Sequence, residues 1–253
     1  MFNNAIVRKP CPEIIHGITS ASLGKPDYKL ALDQHAGYVE ALQSCGLEVT
    51  ILEPDSRFPD STFVEDVAIC TSRFALISNP GISSRNGEQK EMEPVLRGFF
   101  DTIERVMTPG TLDAGDVMMT GDHYYIGISE RTNLEGAGQV IDLLEKHGMS
   151  GEMVPLKQML HLKSGVSYLE NEYLLTGGDM HKHPAFSRFK KIQVEEPEEY
   201  AANSLWINGT VLVPKGFPVT RKKIDQAGYP TLVVDVSEFR KLDGGLSCLS
   251  LRF

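Results

Sequence analysis

Two apolar runs joined by a short polar or glycine turn, and introduced by a small polar cluster, recur along this chain. The unit reads VEDVAICTSRFALIS, AGDVMMTGDHYYIG, KSGVSYLENEYLLTG and AANSLWINGTVLVP, each with the pattern of a β-hairpin. A fifth copy is split. GGLSCLSLRF at one end of the sequence supplies its first strand, and NNAIVRKP at the other supplies the partner. Each hairpin is followed by a helical or polar segment: YKLALDQHAGYVEALQSC, EQKEMEPVLRGFF, NLEGAGQVIDLLEKHG, a weaker HPAFSRF, and PVTRKKIDQAG. A further strand then closes each unit, in LEVTILEP, IERVMT, GEMVPL, KKIQVEE and TLVVDV. Hairpins opening near positions 67, 117, 166, 204 and 247 give a period of roughly 40 to 50 residues, the range of radial or stacked repeats. The expected fold is α/β, a five-bladed ββαβ propeller with pseudo-fivefold symmetry, forming a single catalytic domain over residues 1–253. An ordinary mixed α/β sheet is the alternative.

Equivalent units place equivalent residues at one end of the symmetry axis. The residues that lead into the first strands are Glu65 and Asp66, Asp113 and Asp116, His161 through Ser164, Asn203, and Ser247 with Cys248. Carboxylates, an imidazole and a thiol from distant parts of the sequence are thereby expected to converge. Each also has a plain structural reading. Cys248 could be a small apolar filler, His161 a hydrogen-bonded core histidine, and Asp66 and Asp116 turn residues bonded to nearby amides. The apolar positions Leu246, Leu249, Leu251 and Phe253 place Cys248 at the start of a buried strand, with Gly244 and Gly245 allowing close approach of backbone or ligand.

Charge narrows the partners. With 25 basic and 34 acidic residues, the net charge of −9 opposes binding to nucleic acid or an anionic membrane and favours a cationic small molecule. The N-terminal MFNNAIVRKP has no leader pattern, and no stretch approaches a membrane span, so a cytoplasmic location is expected. Cys11, Cys45, Cys70 and Cys248 lack metal-finger spacing and read as free thiols. Asn208-Gly209-Thr210 reads as a turn.

A thiolate needs a cation or imidazolium beside it, which His161 can supply. Carboxylates around such a centre oppose an oxyanion but suit a cationic electrophile. A guanidinium is planar and pairs bidentately with carboxylates, so two acidic residues can hold it with its central carbon open to attack.

FVEDVAI, LDAGDVMM, GISERTN, HLKSGVSYL and DGGLSCLSLRF closely resemble the dimethylarginine dimethylaminohydrolase family of the guanidino-modifying superfamily, along essentially the full length. The resemblance implies the five-bladed ββαβ fold. It implies Cys248 as nucleophile, His161 as acid and base, and Asp66 and Asp113 as guanidinium ligands, with Asp113 at a position where relatives carry either Glu or Asp. Asp60 and Glu65 line the same mouth, Arg85 and Arg131 take the amino-acid carboxylate, and Ile18 belongs to a mobile flap for which Gly17 could be a hinge. Relatives such as arginine deiminases generally carry an added helical domain that this sequence has no room for.

The expected reaction hydrolyses asymmetric dimethylarginine or monomethylarginine to citrulline and dimethylamine or methylamine through a thiouronium on Cys248. It needs no cofactor and no metal, and the protein is expected to work as a monomer or homodimer. Three other readings stay open: an arginine deiminase-like hydrolase of another guanidino compound, a non-enzymatic binder of cationic amino acids, and a metal-dependent hydrolase. The last lacks any compact ligand pair.

Overall fold

Every sheet in the computed structural model, which describes residues 1–157 and 159–253, repeats one plan. A first strand pairs antiparallel with a second, and the second pairs parallel with a third that follows it in the chain. The strands are β1 (Asn4–Arg8), β2 (Glu48–Leu52), β3 (Ala68–Cys70), β4 (Ala75–Ile77), β5 (Ile103–Arg105), β6 (Val117–Thr120), β7 (His123–Ile128), β8 (Ser150–Pro155), β9 (Val166–Tyr168), β10 (Tyr173–Thr176), β11 (Lys190–Gln193), β12 (Leu205–Ile207), β13 (Thr210–Pro214), β14 (Thr231–Val234) and β15 (Leu251–Arg252). They form five three-stranded sheets, β15-β1-β2, β3-β4-β5, β6-β7-β8, β9-β10-β11 and β12-β13-β14. The middle strands are the apolar runs of the repeat. Ala5–Val7, Ala75–Ile77 and Val211–Val213 are wholly buried, as expected of strands covered on both faces.

Parallel pairing of second and third strands requires a crossover. Helices α1 (Tyr28–Ser44), α2 (Glu88–Leu96) and α3 (Leu134–Lys146) supply three of them. Asp27 caps α1 by accepting the Leu30 amide at 3.0 Å, and Asn133 caps α3 by accepting that of Gly136 at 2.7 Å, each satisfying an orphan donor of the first turn. In the fourth unit only the short 3-10 turns Gly178–Lys182 and Pro184–Phe186 stand where HPAFSRF gave a weak signal. A one-turn helix, α4 (Leu162–Gly165), follows His161, and α5 (Pro218–Gln226) serves the last crossover.

The chain divides into two compact units, Met1–Val64 with Gly165–Phe253, and Glu65–Ser164. The first contains three sheets and two apolar clusters, one built on α1 around Tyr38, Leu42 and Phe239 and one around Leu175, Val211, Val213 and Ile224. In the second, α3 packs Ala137, Val140 and Leu144 against Phe74, Tyr124 and Ile126. Burying a side chain of this size contributes about 1.5–3 kcal/mol.

The split repeat closes as expected. β15 pairs with β1 in the register Ala5 opposite Arg252 and Ile6 opposite Leu251, and the Asn3 and Asn4 amides both donate to the Phe253 carbonyl. One detail differs. Cys248 does not begin a strand; it sits in a 3-10 turn, Ser247–Leu249, and β15 starts only at Leu251. The turn buries Leu246 and Leu249 completely, so apolar spacing that resembled strand alternation arises from a turn packed on the core. Asn208 and Gly209 adopt φ of +49° and +95°, making the tight turn between β12 and β13 that their sequence predicts. Among the described residues, no helix is long and apolar enough to cross a membrane.

Candidate active site

Glu65 and Asp66 lie in a 3-10 turn, Val64–Val67, directly before β3, and Asp113 precedes the corresponding turn Ala114–Asp116 before β6. His161 immediately precedes α4, which leads into β9. The leading-end pattern read from the repeats therefore places these side chains in equivalent positions, and all four are buried.

Within the unit Glu65–Ser164 they form one polar cluster. His161 Nε2 lies 3.3 Å from Asp113 Oδ2, and the other oxygen of Asp113 accepts the Gly81 amide at 3.0 Å. Arg131, half-buried, brings Nη1 to 3.8 Å from Asp113. Burial alone would push the imidazole to release its proton. The Asp66 charge, the bond to Asp113 and the charges of Asp116 and Asp113 outweigh it, raising His161 to about 9. Asp113 shows the converse: burial opposes its ionisation, but the bond and charge of His161 and the charge of Arg85 hold it below the usual carboxylate range. The pair is imidazolium and carboxylate at neutral pH.

Asp66 is asymmetric. Its Oδ2 accepts from Arg85 Nη1 at 2.5 Å, while its buried Oδ1 meets no donor among the described residues. Gly115 explains how that oxygen approaches the imidazole: a Cβ there would sit 2.7 Å from Asp66 Oδ1 and 2.9 Å from His161 Nδ1. The neighbouring Glu65 is paired with Lys163 at 2.7 Å.

Arg85 has a geometry that the sequence did not foreshadow. Its guanidinium is buried, donating to Asp66 and, through Nε and Nη2, to Glu88 at 3.0 and 2.6 Å. Here it is a guanidinium held by carboxylates. Asp116 also departs from its reading as a turn residue bonded to nearby amides, since it accepts the amide of Leu162, 46 residues away, at 2.9 Å.

The other predicted residues, Asp60, Ile18 and Cys248, belong to the unit of residues 1–64 and 165–253. The Gly245 amide donates toward Cys248 Sγ at 3.3 Å. Asn203 fixes the turn, accepting the Ser247 amide at 2.9 Å and donating to its hydroxyl at 3.1 Å. The two glycines have steric reasons: a Cβ on Gly245 would strike Asn203 at 2.4 Å, and one on Gly244 would strike the Phe63 ring at 2.2 Å. Both carboxylate oxygens of Asp60 accept the Ile18 amide, at 3.1 and 3.2 Å. Asp243 accepts the Ser20 amide at 2.6 Å and the Ser20 hydroxyl at 3.0 Å. Gly17 has an ordinary φ of −58°, and its missing side chain makes room for Leu242 and Asp60.

Asp116 and Lys163 stood among the leading-end residues expected to converge but were given no role at the site, and Glu88 and Asp243 carried no signal in the sequence.

Repeated ββαβ sheets with buried carboxylates and an imidazolium leading into their first strands define a class of α/β proteins. No family model matches the chain. It is nevertheless 52% identical over 254 aligned positions to N(G),N(G)-dimethylarginine dimethylaminohydrolase of Pseudomonas aeruginosa, covering 100% of both sequences. A solved structure of that Pseudomonas protein, a cysteine-to-serine mutant complexed with citrulline, superposes with a TM-score of 0.99 over 100% of both chains at 52% identity. A second, a histidine-to-glycine variant of dimethylarginine dimethylaminohydrolase as an adduct with S-methyl-L-thiocitrulline, gives 0.99 with the same coverage and identity. The chain belongs to the dimethylarginine dimethylaminohydrolase family, and its fold is the α/β, five-bladed ββαβ type.

Proposed function

We propose that this protein hydrolyses Nω-methylated arginines, asymmetric dimethylarginine and monomethylarginine, to citrulline and dimethylamine or methylamine. The observation that carries the chemistry is the orphaned Asp66 Oδ1 beside a protonated His161. A buried acceptor without a donor is costly, and a substrate guanidinium N–H satisfies it. Asp113 is the second carboxylate to receive the guanidinium, with Glu65 and Asp60 at the mouth.

The Cys248 thiolate attacks the central guanidinium carbon. His161 holds its proton at neutral pH and gives it to the departing amine as the C–N bond breaks. The products of this half are a free amine and a thiouronium on Cys248. His161, now neutral, takes a proton from water, which adds to the same carbon as hydroxide; the C–S bond breaks, the new hydroxyl loses its proton to solvent, and citrulline leaves with the thiolate restored. The Gly245 amide, aimed at Sγ, favours the thiolate at both ends of the cycle. Arg131 takes the α-carboxylate. Arg85, whose guanidinium is already held by Asp66 and Glu88, joins it, and the Ile18 segment, latched by Asp60 and Asp243, covers the substrate. The net charge of −9 and the four free thiols suit a cationic small molecule in a cytoplasmic setting.

The direct test is incubation with asymmetric dimethylarginine, with assay of citrulline and intact mass of the protein. Citrulline formation and a transient mass increase that disappears in Cys248→Ser are expected. Release of citrulline from arginine faster than from either methylarginine would instead make the activity deiminase-like.

A further inference from the structure

Asp116 is completely buried in the unit Glu65–Ser164, and the hydrolytic steps above do not use it. Its Oδ1 accepts the Leu162 amide at 2.9 Å, one residue from His161. Its Oδ2 accepts the hydroxyls of Ser129 and Thr132, each at 2.7 Å. A hydroxyl has one proton to donate. Once that proton is given to Asp116, both hydroxyls can only accept from other partners, and what they accept are backbone amides of the site. Ser129 Oγ takes the amides of Arg131 and Thr132 at 3.0 and 3.1 Å, and Thr132 Oγ1 takes the amide of Asp113 at 3.2 Å.

We propose that Asp116 is a positioning residue whose charge polarises a hydrogen-bond network that holds the backbone of Asp113, Arg131 and His161 in mutual register. The surrounding chain is shaped for it. Gly127 of β7 has no side chain where one would come within 3.0 Å of both Asp116 Oδ1 and the Leu162 Cβ. The inference rests on the assignment of His161 and Arg131 to the methylarginine site.

Asp116→Asn tests it with almost no change of volume. An amide that keeps its oxygen on Leu162 turns two N–H donors toward the hydroxyls. Their own protons are then forced toward the amides of Arg131, Thr132 and Asp113, so the network loses its polarity. The groups facing His161 are Asp66, Asp113 and Asp116, with Arg85 on Asp66 and Arg131 on Asp113.

In Asp116→Asn, kcat for asymmetric dimethylarginine is expected to fall about 100-fold, the size of loss that follows misplacement of a reacting group by about 1 Å. The His161 imidazole, followed by NMR titration, should lose its proton at lower pH than in the parent. Ser129→Ala removes the hydroxyl that links Asp116 to the amides of Arg131 and Thr132 and keeps the bonds of Asp116 to the Leu162 amide and the Thr132 hydroxyl. It should raise KM for free-acid substrates with kcat retained and leave the methyl ester of the same substrate unaffected. Parent kcat together with an unmoved His161 titration in Asp116→Asn overturns the proposal, as does an equal KM increase for ester and free acid in Ser129→Ala. Should the parent protein release no citrulline from any methylarginine, the functional reading fails instead, and the His161 titration still decides the role of Asp116 without turnover.

Discussion

A single missing side chain sets the distance between acid and carboxylate in this protein. Gly115 has Asp66 Oδ1 on one side and the His161 ring on the other, each closer than 3 Å to where a Cβ would stand. Gly115→Ala is therefore expected to push the two apart, lowering kcat/KM by about 100-fold while the overpacking costs about 1–3 kcal/mol of stability. Steady-state kinetics with asymmetric dimethylarginine, beside urea unfolding, check this; an alanine variant with parent kinetics would show that the glycine only permits the turn. At Cys248 the expectation is chemical. Cys248→Ser preserves shape but replaces an ionisable thiol with a hydroxyl that stays protonated, so turnover should be lost while citrulline still binds, as isothermal calorimetry would report. Measurable turnover in the serine variant would exclude the thiouronium route.

At the scale of elements, the segment that carries Cys248 is held by more than strand pairing. The Tyr38 hydroxyl in α1 donates to the Leu246 carbonyl at 2.8 Å and lies 2.6 Å from Ser250 Oγ, spanning the turn from both sides. Tyr38 is fully buried, so its loss leaves polar groups without replacement solvent. Tyr38→Phe is expected to cost about 1–3 kcal/mol, read as a lower urea midpoint with unchanged slope. A more specific sign of loosening should accompany it: Cys248 should react faster with a neutral alkylating agent than in the parent. An unchanged alkylation rate would mean that Asn203 and the pairing of β15 with β1 suffice to hold the turn.

For the whole molecule, buried histidines shape the dependence of stability on pH from both sides. In the folded protein His161 keeps its proton up to about 9, whereas an unfolded histidine releases it near 6.5. The stabilisation from its charge is complete below about 6.5 and is lost as pH rises through about 9. His35 acts in the opposite sense. Burial, with a contribution from Lys9, depresses its folded value to about 4, so its contribution is present above about 6.5 and is lost as pH falls toward 4. Urea unfolding across pH 5 to 10 should show stability declining on either side of roughly 6.5. The alkaline decline should be largely absent in His161→Asn; a variant with the parent's alkaline slope would show that other groups cause it.

Periodicity alone determined most of the architecture, because each ββαβ unit satisfies its own backbone locally and its apolar middle strand stands out in the sequence. That is why the hairpins, the crossover helices and the pairing of the two chain ends were legible, and why residues leading into first strands could be picked out together. The structure brings Asp66, Asp113 and His161 into one cluster, as that equivalence implies, and adds Arg131, which the equivalence did not mark. Partner choice was not legible. Whether Arg85 ends on a carboxylate of the chain or is left for a ligand depends on Glu88 and Asp66 meeting it in three dimensions. In sequence Asp116 is only a turn-like aspartate, and its bonds to Leu162, Ser129 and Thr132 exist only once β6, β7 and α4 have come together. Charged and polar side chains have several chemically equivalent partners in a sequence, and only packing, which excludes water and leaves each donor one acceptor within reach, selects among them.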